Sequence, residues 1–283
     1  MSCALVLSGG GVAGIAWETG VLLGLRDAGC ALLDRCDLVI GTSAGAVVGA
    51  QVLAGVDLDV LYARQLDPMH QEIAAEFDLE RLMEIFGDLA SGTPLDTAAR
   101  QRIGTIASAA PTVPETARRA VIEWRLPSHA WPEVALRVTA VDIGSGELRV
   151  FDRSSGIPLV DAVAASCAVP GIWPPVTIGD RRFMDGGVAS VANAALATGA
   201  AQVVILAPMA GPALASTDAE IETLRGAGAT VVLVAADDDD AAAVMSANPL
   251  DPATRRPSAE HGRRQGRLAA AGVVAALGAP PVS

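Results

Sequence analysis

The chain has 283 residues, 51% of them hydrophobic, and a formal net charge of −12 in which every cationic side chain is an arginine. An acidic surface repels nucleic acid and anionic bilayers, so neither is expected as an obligatory partner. The mean hydropathy is +0.41, yet the most apolar stretch, 203–215, is broken by Pro208, Gly211 and Pro212. A membrane span needs roughly 18 or more uninterrupted apolar residues. No transmembrane helix is expected, and any membrane contact should be peripheral and hydrophobic.

The cellular location is predicted to be cytoplasmic. The first eight residues lack the basic region that opens a secretory signal and lead directly into a glycine cluster. Cys3, Cys30, Cys36 and Cys167 have neither paired spacing nor a C-x-x-C motif. We expect these cysteines to be reduced and mostly buried.

Two strand-to-helix units open the chain. Ala4–Leu7 is a continuous apolar run, typical of a strand buried on both faces, and a helical pattern follows the glycines and ends near Gly29. Asp37–Ile40 predicts a second strand, followed by an apolar helix through Leu53. Two such units favour a parallel α/β sheet.

The segment from about 57 to 131 is predicted to be a helical insertion that walls a pocket or packs against the sheet. Its predicted helices are Leu58–Leu66, Leu79–Phe86, Thr97–Ala107 and Glu115–Trp124. Loop signals separate them at 91–94 and at Pro111.

The remainder, with 200–283 completing it, is predicted to belong to the same single domain, 1–283. Its predicted elements are a hairpin of Leu136–Ile143 and Leu148–Phe151, a helix at Pro158–Cys167, parallel strands at Val203–Leu206 and Thr230–Ala235, and a helix from about 259 to 277. The acidic run Asp237–Asp240 lacks the interleaved spacing of a metal loop and is interpreted as solvated.

Gly41-Thr42-Ser43-Ala44-Gly45 is a G-x-S-x-G motif between a strand and a helix. The flanking glycines permit the sharp turn that projects a serine hydroxyl from a sheet edge. A serine there also lies at a helix N-terminus, where free N–H groups favour developing negative charge. Ser43 is therefore a candidate nucleophile; the alternative is that it only caps the helix.

The run from Gly9, Gly10 and Gly11 to Gly14 exposes successive backbone N–H groups, which suit an oxyanion or a phosphate. It also satisfies G-x-G-x-x-G, with Asp34 about 20 residues onward, as in a dinucleotide-binding oxidoreductase. That alternative does not explain the serine motif after the next strand, whereas an oxyanion hole does.

Asp185-Gly186-Gly187 follows a short strand-like run, so Asp185 is held at a fixed edge and is a candidate general base. An aspartate in such a setting is usually a turn residue. Asp185 is nevertheless a candidate base because the sequence offers few others. Histidine occurs only at positions 70, 129 and 261, none of them in a glycine-framed setting.

A Ser–Asp–His triad is the alternative to an aspartate acting alone. The order Ser43, Asp185, His261 matches that of α/β-hydrolases. Only about 40 residues precede Ser43, however, too few for the strands that come before the α/β-hydrolase elbow. His261 also lies among Arg255, Arg256, Arg263 and Arg264, where a solvated helix end is expected.

Taken together, the chain resembles the patatin-like phospholipase family. The glycine run, the GTSAG motif and the DGG motif occur in the order of that family. Two further stretches agree, Ala165–Pro170 and Trp173–Val176. The resemblance extends from Leu5 to about Leu196 and is weak through the helical middle.

The resemblance implies a three-layer α/β/α fold with a mostly parallel sheet and a Ser43–Asp185 dyad that cleaves lipid or fatty-acyl esters. Gly9, Gly10 and Gly11 match the family's oxyanion loop, and Gly14, Gly41, Gly45, Gly186 and Gly187 complete its motifs. No metal and no cofactor are expected. The chain departs from the family at Ala13, where arginine or lysine is usual. That departure leaves the preference for phospholipid open and keeps a non-catalytic protein on this fold as an alternative.

Overall fold

The computed structural model describes residues 2–68, 72–73, 95–209, 214–236 and 248–278. The strands are β1 (Cys3–Leu7), β2 (Leu38–Thr42), β3 (Ala135–Asp142), β4 (Leu148–Phe151), β5 (Val176–Ile178), β6 (Arg181–Asp185), β7 (Gln202–Ala207) and β8 (Thr230–Ala235). The helices are α1 (Gly11–Asp27), α2 (Ala44–Leu53), α3 (Leu58–Leu66), α4 (Thr97–Ala109), α5 (Glu115–Arg125), α6 (Leu159–Ser166), α7 (Ala215–Gly226) and α8 (Arg255–Leu277). The predicted helix Leu79–Phe86 and the acidic run Asp237–Asp240 lie outside the described residues.

The eight strands found among the described residues belong to one sheet, in the order β5-β6-β3-β2-β1-β7-β8, with β4 paired to β3. The pairs from β3 through β2, β1 and β7 to β8 are parallel. The β3–β4, β3–β6 and β5–β6 pairs are antiparallel. The carboxyl ends of the parallel strands therefore meet at a single edge, which also carries the glycine loop after β1 and the serine motif after β2.

Helices cover both faces of the sheet. Leu5 and Leu7 of β1 belong to one core cluster with residues of α1, α2, α6 and α8. Ala4 and Val6, which point the other way, pack in a second cluster with residues of β7 and α7. The three-layer α/β/α arrangement with a mostly parallel sheet, implied by the resemblance, is confirmed. The assignment of the whole chain to one domain stays a prediction.

Helices α1 and α8 contact each other at backbone distance. A Cβ atom added to Gly262 or Gly266 of α8 would lie 2.2 Å from the carbonyl oxygen of Trp17 or Val21 in α1. Gly20 and Gly24 of α1 meet α8 in the same way, also at 2.2 Å. Only glycine permits this approach. Two glycines four residues apart on each helix therefore determine how α8 packs against α1.

This docking overturns one sequence expectation. Helix α8 begins at Arg255, earlier than predicted, and Arg255 and His261 are buried instead of lying at a solvated helix end. Arg255 donates to the side chain of Gln65 on α3 and to the backbone of Asp67. The residues of α8 that lie closest to α1 are small ones, Gly262 and Gly266.

The four cysteines are free and buried. Cys3 belongs to β1, and Cys36 lies in the segment before β2. Their Sγ atoms are 3.3 Å apart, a proximity that their spacing in the sequence did not indicate. In the parts of the chain that the structure describes, no helix combines the length and apolar composition needed to cross a membrane.

Candidate active site

The carboxyl end of β2 abuts the end of β6 along one edge of β3. In the register of β3, Thr42 lies opposite Thr139, and Asp185 lies opposite the next residue, Ala140. Because β4 pairs with both 139 and 140 on the other edge, β2 and β6 occupy the same edge in line with each other. This arrangement brings Ser43, the residue after β2, to Asp185, the last residue of β6.

Ser43 has a strained backbone with φ 53° and ψ −112°. Left-handed φ values are unfavourable for a residue with a side chain and occur at sites where the surroundings enforce them. Here the surroundings do so: a Cβ on Gly45 would lie 2.1 Å from the Leu7 carbonyl oxygen, so α2 packs directly against β1. Ser166 Oγ accepts the Ser43 N–H at 2.8 Å. The elbow predicted from the sequence is thus present and braced.

Asp185 is buried beside Ser43. Burial raises its pKa to about 6, and the Ser43 hydroxyl, the Gly187 amide and the Arg118 guanidinium each lower it in part. Oδ1 accepts the Gly187 N–H at 2.7 Å. Oδ2 has no partner of hydrogen-bond geometry among the described residues. The carboxylate therefore retains one unused acceptor near the hydroxyl, and its pKa lies close to the range where a general base works best.

The three glycines of the loop after β1 differ in their use. The Gly9 N–H donates to the Val191 carbonyl at 2.9 Å, so it is already engaged. The N–H groups of Gly10 and Gly11 meet no acceptor among the described residues. An added Cβ at Gly9 would lie 3.6 Å from Ser43 Cβ, an ordinary van der Waals contact, so this neighbour alone does not require glycine there. The loop therefore offers two free donors at the start of α1, fewer than the sequence suggested.

Asn193 is a supporting residue that the sequence analysis missed. Its Nδ2 lies within hydrogen-bond distance of Thr42 Oγ1 at 3.0 Å, the Gly186 carbonyl at 3.2 Å and the Ser190 carbonyl at 2.7 Å. It has a left-handed φ of 52°. Asn193 thus ties the end of β2 to the loop after Asp185, and an asparagine within an alanine-rich run was the available signal.

The space next to Ser43 is narrow. A cavity of about 20 Å³ is bordered by Ser43 together with Gly11, Val12, Ile15, Ala44, Glu72, Ile73, Arg118, Arg125, Cys167, Val169, Trp173 and Leu250. A larger cavity of about 440 Å³ adjoins it and shares Val12, Ile15, Glu72 and Arg125. The buried Arg125–Glu72 ion pair therefore lies between the two spaces.

Two sequence alternatives fit this geometry poorly. The glycine loop follows the carboxyl end of β1, whereas Asp34 precedes the amino end of β2, and the two strands are parallel. The length of a five-residue strand, at about 3.3 Å per residue, therefore separates Asp34 from the loop. A ribose bound at the loop is out of reach of Asp34. Neither His129 nor His261 borders the cavity at Ser43, and His70 lies outside the described residues. Within the described ranges, no group of three or more metal-ligating side chains is assembled.

Glu18, on α1 behind the glycine loop, is fully buried, and neither of its carboxyl oxygens has a hydrogen-bond partner among the described residues. Burial raises the pKa of Glu18 well above its usual range, and the nearby Ser8 backbone offsets this only in part. A buried carboxyl group with no counter-ion is retained in its neutral form.

We expect Glu18→Gln to stabilise the protein increasingly as the pH rises. The unfolded carboxyl titrates near 4.5, so wild type loses about 1.4 kcal/mol of folding free energy per pH unit from there up to the folded pKa. The neutral amide has no such loss. Urea unfolding of both proteins at pH 5 and pH 8 measures the difference; an equal pH dependence in the two would contradict the assignment of a neutral Glu18.

Comparison with known proteins supplies the family. A family model described as patatin-like phospholipase matches residues 5–198. The omega-hydroxyceramide transacylase of Mus musculus is 27% identical over 179 residues, which cover 62% of this chain and 25% of that protein. The chain thus spans a quarter of the length of this curated relative.

Two solved structures are similar over nearly the whole chain. VipD from Legionella pneumophila has a TM-score of 0.46 at 13% identity and covers 98% of this chain and 70% of its own. The type III effector ExoU of Pseudomonas aeruginosa has a TM-score of 0.44 at 17% identity, with 96% and 53% covered. Since the family model matches more than half of the sequence, the chain belongs to the patatin-like phospholipase family.

Proposed function

We propose that the chain is a serine hydrolase that cleaves acyl esters of lipids through Ser43 and Asp185. Membership of the patatin-like phospholipase family supports lipid acyl hydrolysis in general. The observation that carries the finer proposal is the meeting of a strained Ser43 with a buried Asp185 whose pKa is about 6. A weak carboxylate base becomes adequate when burial raises its pKa toward neutrality.

In the first half-reaction, Asp185 Oδ2 accepts the hydroxyl proton while Ser43 Oγ attacks the ester carbonyl. The oxyanion of the tetrahedral intermediate accepts hydrogen bonds from the free N–H groups of Gly10 and Gly11, at the N-terminus of α1. One such donor is worth about 3 to 4 kcal/mol of transition-state stabilisation. Asp185 then returns the proton to the departing alcohol, which leaves an acyl group on Ser43.

In the second half-reaction, Asp185 removes a proton from water, which attacks the acyl-enzyme; as the bond between the acyl carbon and Ser43 Oγ breaks, Asp185 returns that proton to Oγ and the fatty acid is released. The apolar side chains of Val12, Ile15 and Leu250 border the narrow space beside Ser43, and Val12 and Ile15 also border the adjoining cavity of about 440 Å³, into which an acyl chain would extend. Trp124 is partly exposed at the larger cavity, and we propose it as a peripheral contact with a lipid surface. The cytoplasmic location stays a prediction.

The test combines covalent labelling with ester hydrolysis. We expect a fluorophosphonate probe to modify wild type at Ser43, located by peptide mass spectrometry. We expect p-nitrophenyl esters of increasing chain length to be hydrolysed by wild type and not by Ser43→Ala. Ser145→Ala, in the β3–β4 turn, is the matched control and should retain both activities.

The failures are informative. Folded wild type that neither labels nor hydrolyses any ester would contradict the hydrolase and favour a non-catalytic protein on this fold. Binding of NAD(P) that persists in Ser43→Ala would favour the oxidoreductase alternative.

A second candidate is acyl transfer to an alcohol other than water. The mouse relative is named a transacylase, and Ser43 is only 7% exposed in a cavity of about 20 Å³. Enclosure of this kind limits water at the acyl-enzyme. Turnover in the presence of a long-chain alcohol separates the two: transfer yields a new ester, whereas hydrolysis yields only free acid.

A further inference from the structure

Arg118 of α5 is a buried cation that forms no ion pair with any of the described residues, although the carboxylates of Asp185 and Glu72 are close enough to raise its pKa in part. Its side chain is 5% exposed, and Nε and Nη1 have no hydrogen-bond partner among the described residues. Buried guanidinium groups are normally paired, because an unsatisfied buried charge is costly. The neighbouring Arg125 differs in this respect, since Glu72 holds it in a bidentate ion pair.

The Arg118 guanidinium is fixed in place by Trp173. Its carbon Cζ lies 3.9 Å from the centroid of the Trp173 ring, within cation–π distance. Trp173 Nε1 is itself buried without a partner among the described residues. The guanidinium N–H groups of Arg118 and the indole N–H of Trp173, which have no acceptor among the described residues, therefore lie side by side in the stacked pair.

Both side chains border the cavity that contains Ser43. Arg118 is also close enough to Asp185 to lower the pKa of that carboxyl group. Burial and the like charge of Arg125 lower the pKa of Arg118 itself to about 9, so it remains cationic at neutral pH. An anionic group of a ligand would give these N–H donors the acceptor that the described residues do not supply.

We propose that Arg118 and Trp173 form an anion subsite that binds the phosphate group of an acyl-ester substrate while its ester lies at Ser43. The inference rests on the proposed function for the position of the ester. Nε and Nη1 of Arg118 lie on different edges of the guanidinium, so these groups and Trp173 Nε1 would each donate to a separate oxygen, and the positive charge favours an anion such as phosphate. Arg118 is thus a specificity residue that favours phosphate-bearing lipids over neutral ones.

The experiment compares two substrates with the same acyl ester, 1-oleoylglycerol-3-phosphate and 1-oleoylglycerol, in wild type and Arg118→Met. At pH 8, above the pKa of Asp185, we expect Arg118→Met to lower kcat/KM for the phosphate ester by about 10- to 150-fold more than kcat/KM for 1-oleoylglycerol, as for loss of a charged hydrogen bond. Arg119→Met is the matched control, because Arg119 is partly exposed and paired with Glu123 and Asp161; it should alter neither.

An equal loss on both substrates would overturn the subsite, and an upward shift of the pH midpoint on 1-oleoylglycerol would then show that Arg118 acts through Asp185. No loss on either would overturn it as well. Because Ser43-dependent hydrolysis of 1-oleoylglycerol tests the proposed function by itself, failure of that function is distinguishable from failure of the subsite.

A binding measurement covers the case in which Arg118→Met does not fold. We expect sodium phosphate to raise the Tm of wild type and of Ser43→Ala above that in sodium chloride of equal ionic strength, and to raise that of Arg118→Lys less. Absence of this rise, together with equal kcat/KM of wild type on the two lipids, would overturn the proposal. A rise without any preference for the phosphate ester would indicate a site for free phosphate and would also overturn it.

Discussion

Asp185→Asn is expected to lower kcat/KM for a p-nitrophenyl ester by about 10²- to 10⁴-fold, the range for loss of a general base. Asparagine preserves the size of the side chain and can still accept the Gly187 N–H, so the loop after β6 stays in place. What it loses is the ability to take the Ser43 proton. Because the two residues act as a unit, Ser43→Ala combined with Asp185→Asn should be hardly worse than Ser43→Ala alone.

The pH profile tests the same assignment. Burial raises the pKa of Asp185 to about 6, and only the deprotonated carboxylate accepts a proton. We expect kcat/KM of wild type to rise with pH to a plateau, with its midpoint near 6, whereas the residual activity of Asp185→Asn should lack that midpoint.

Stability provides the control for this variant. A carboxyl group with a folded pKa above its unfolded value of 3.8 destabilises the fold as pH rises through that interval. By pH 8 the cost is on the order of 3 kcal/mol, and asparagine avoids it. Asp185→Asn should therefore melt no lower than wild type at pH 8. Retained activity in this folded variant would contradict the dyad; lost activity with a lowered Tm would leave a folding defect as the cause.

The parts of the site that the sequence predicted are those in which backbone geometry dictates residue type. Gly45 must be glycine because Leu7 lies against it, and Ser43 must follow a glycine-permitted turn, so these constraints are visible as short motifs. The order of buried strands followed by such motifs also predicted the sheet and its two early helices. Local patterns sufficed because each constraint leaves a short motif in the sequence, even where the contact itself, as between Gly45 and Leu7, joins two separate segments.

Contacts between distant segments were not predictable in this way. Arg118 reaches the site from α5, in the region where the family resemblance is weak, and its position depends on stacking against Trp173, 55 positions later. Nothing in the local pattern of α5 distinguishes Arg118 from Arg119. In the proposed subsite the cation comes from α5 and not from the glycine loop, where position 13 is a fully buried alanine.

Gly262→Ala is expected to destabilise the protein by about 2 to 3 kcal/mol, despite the better helix propensity of alanine. The new methyl group would lie 2.2 Å from the Trp17 carbonyl oxygen, a backbone atom that cannot move unless α1 and α8 separate. Separation exposes the apolar surface between the helices and loosens the Trp17 Nε1–Gln265 hydrogen bond. For a chain of this size, the Tm should fall by roughly 2 °C or more per kcal/mol.

Gly272→Ala is the matched control in the same helix. Gly272 is exposed, and an added Cβ there meets nothing within 4 Å. The substitution should therefore stabilise α8 by about 0.5 to 1 kcal/mol through helix propensity alone. Opposite signs for the two variants in parallel thermal and urea unfolding would attribute the effect of Gly262→Ala to the contact with α1. Since α1 begins at the glycine loop, loss of this contact should also weaken ester hydrolysis before the protein unfolds globally. Equal stability of Gly262→Ala and wild type would contradict the close approach of the two helices.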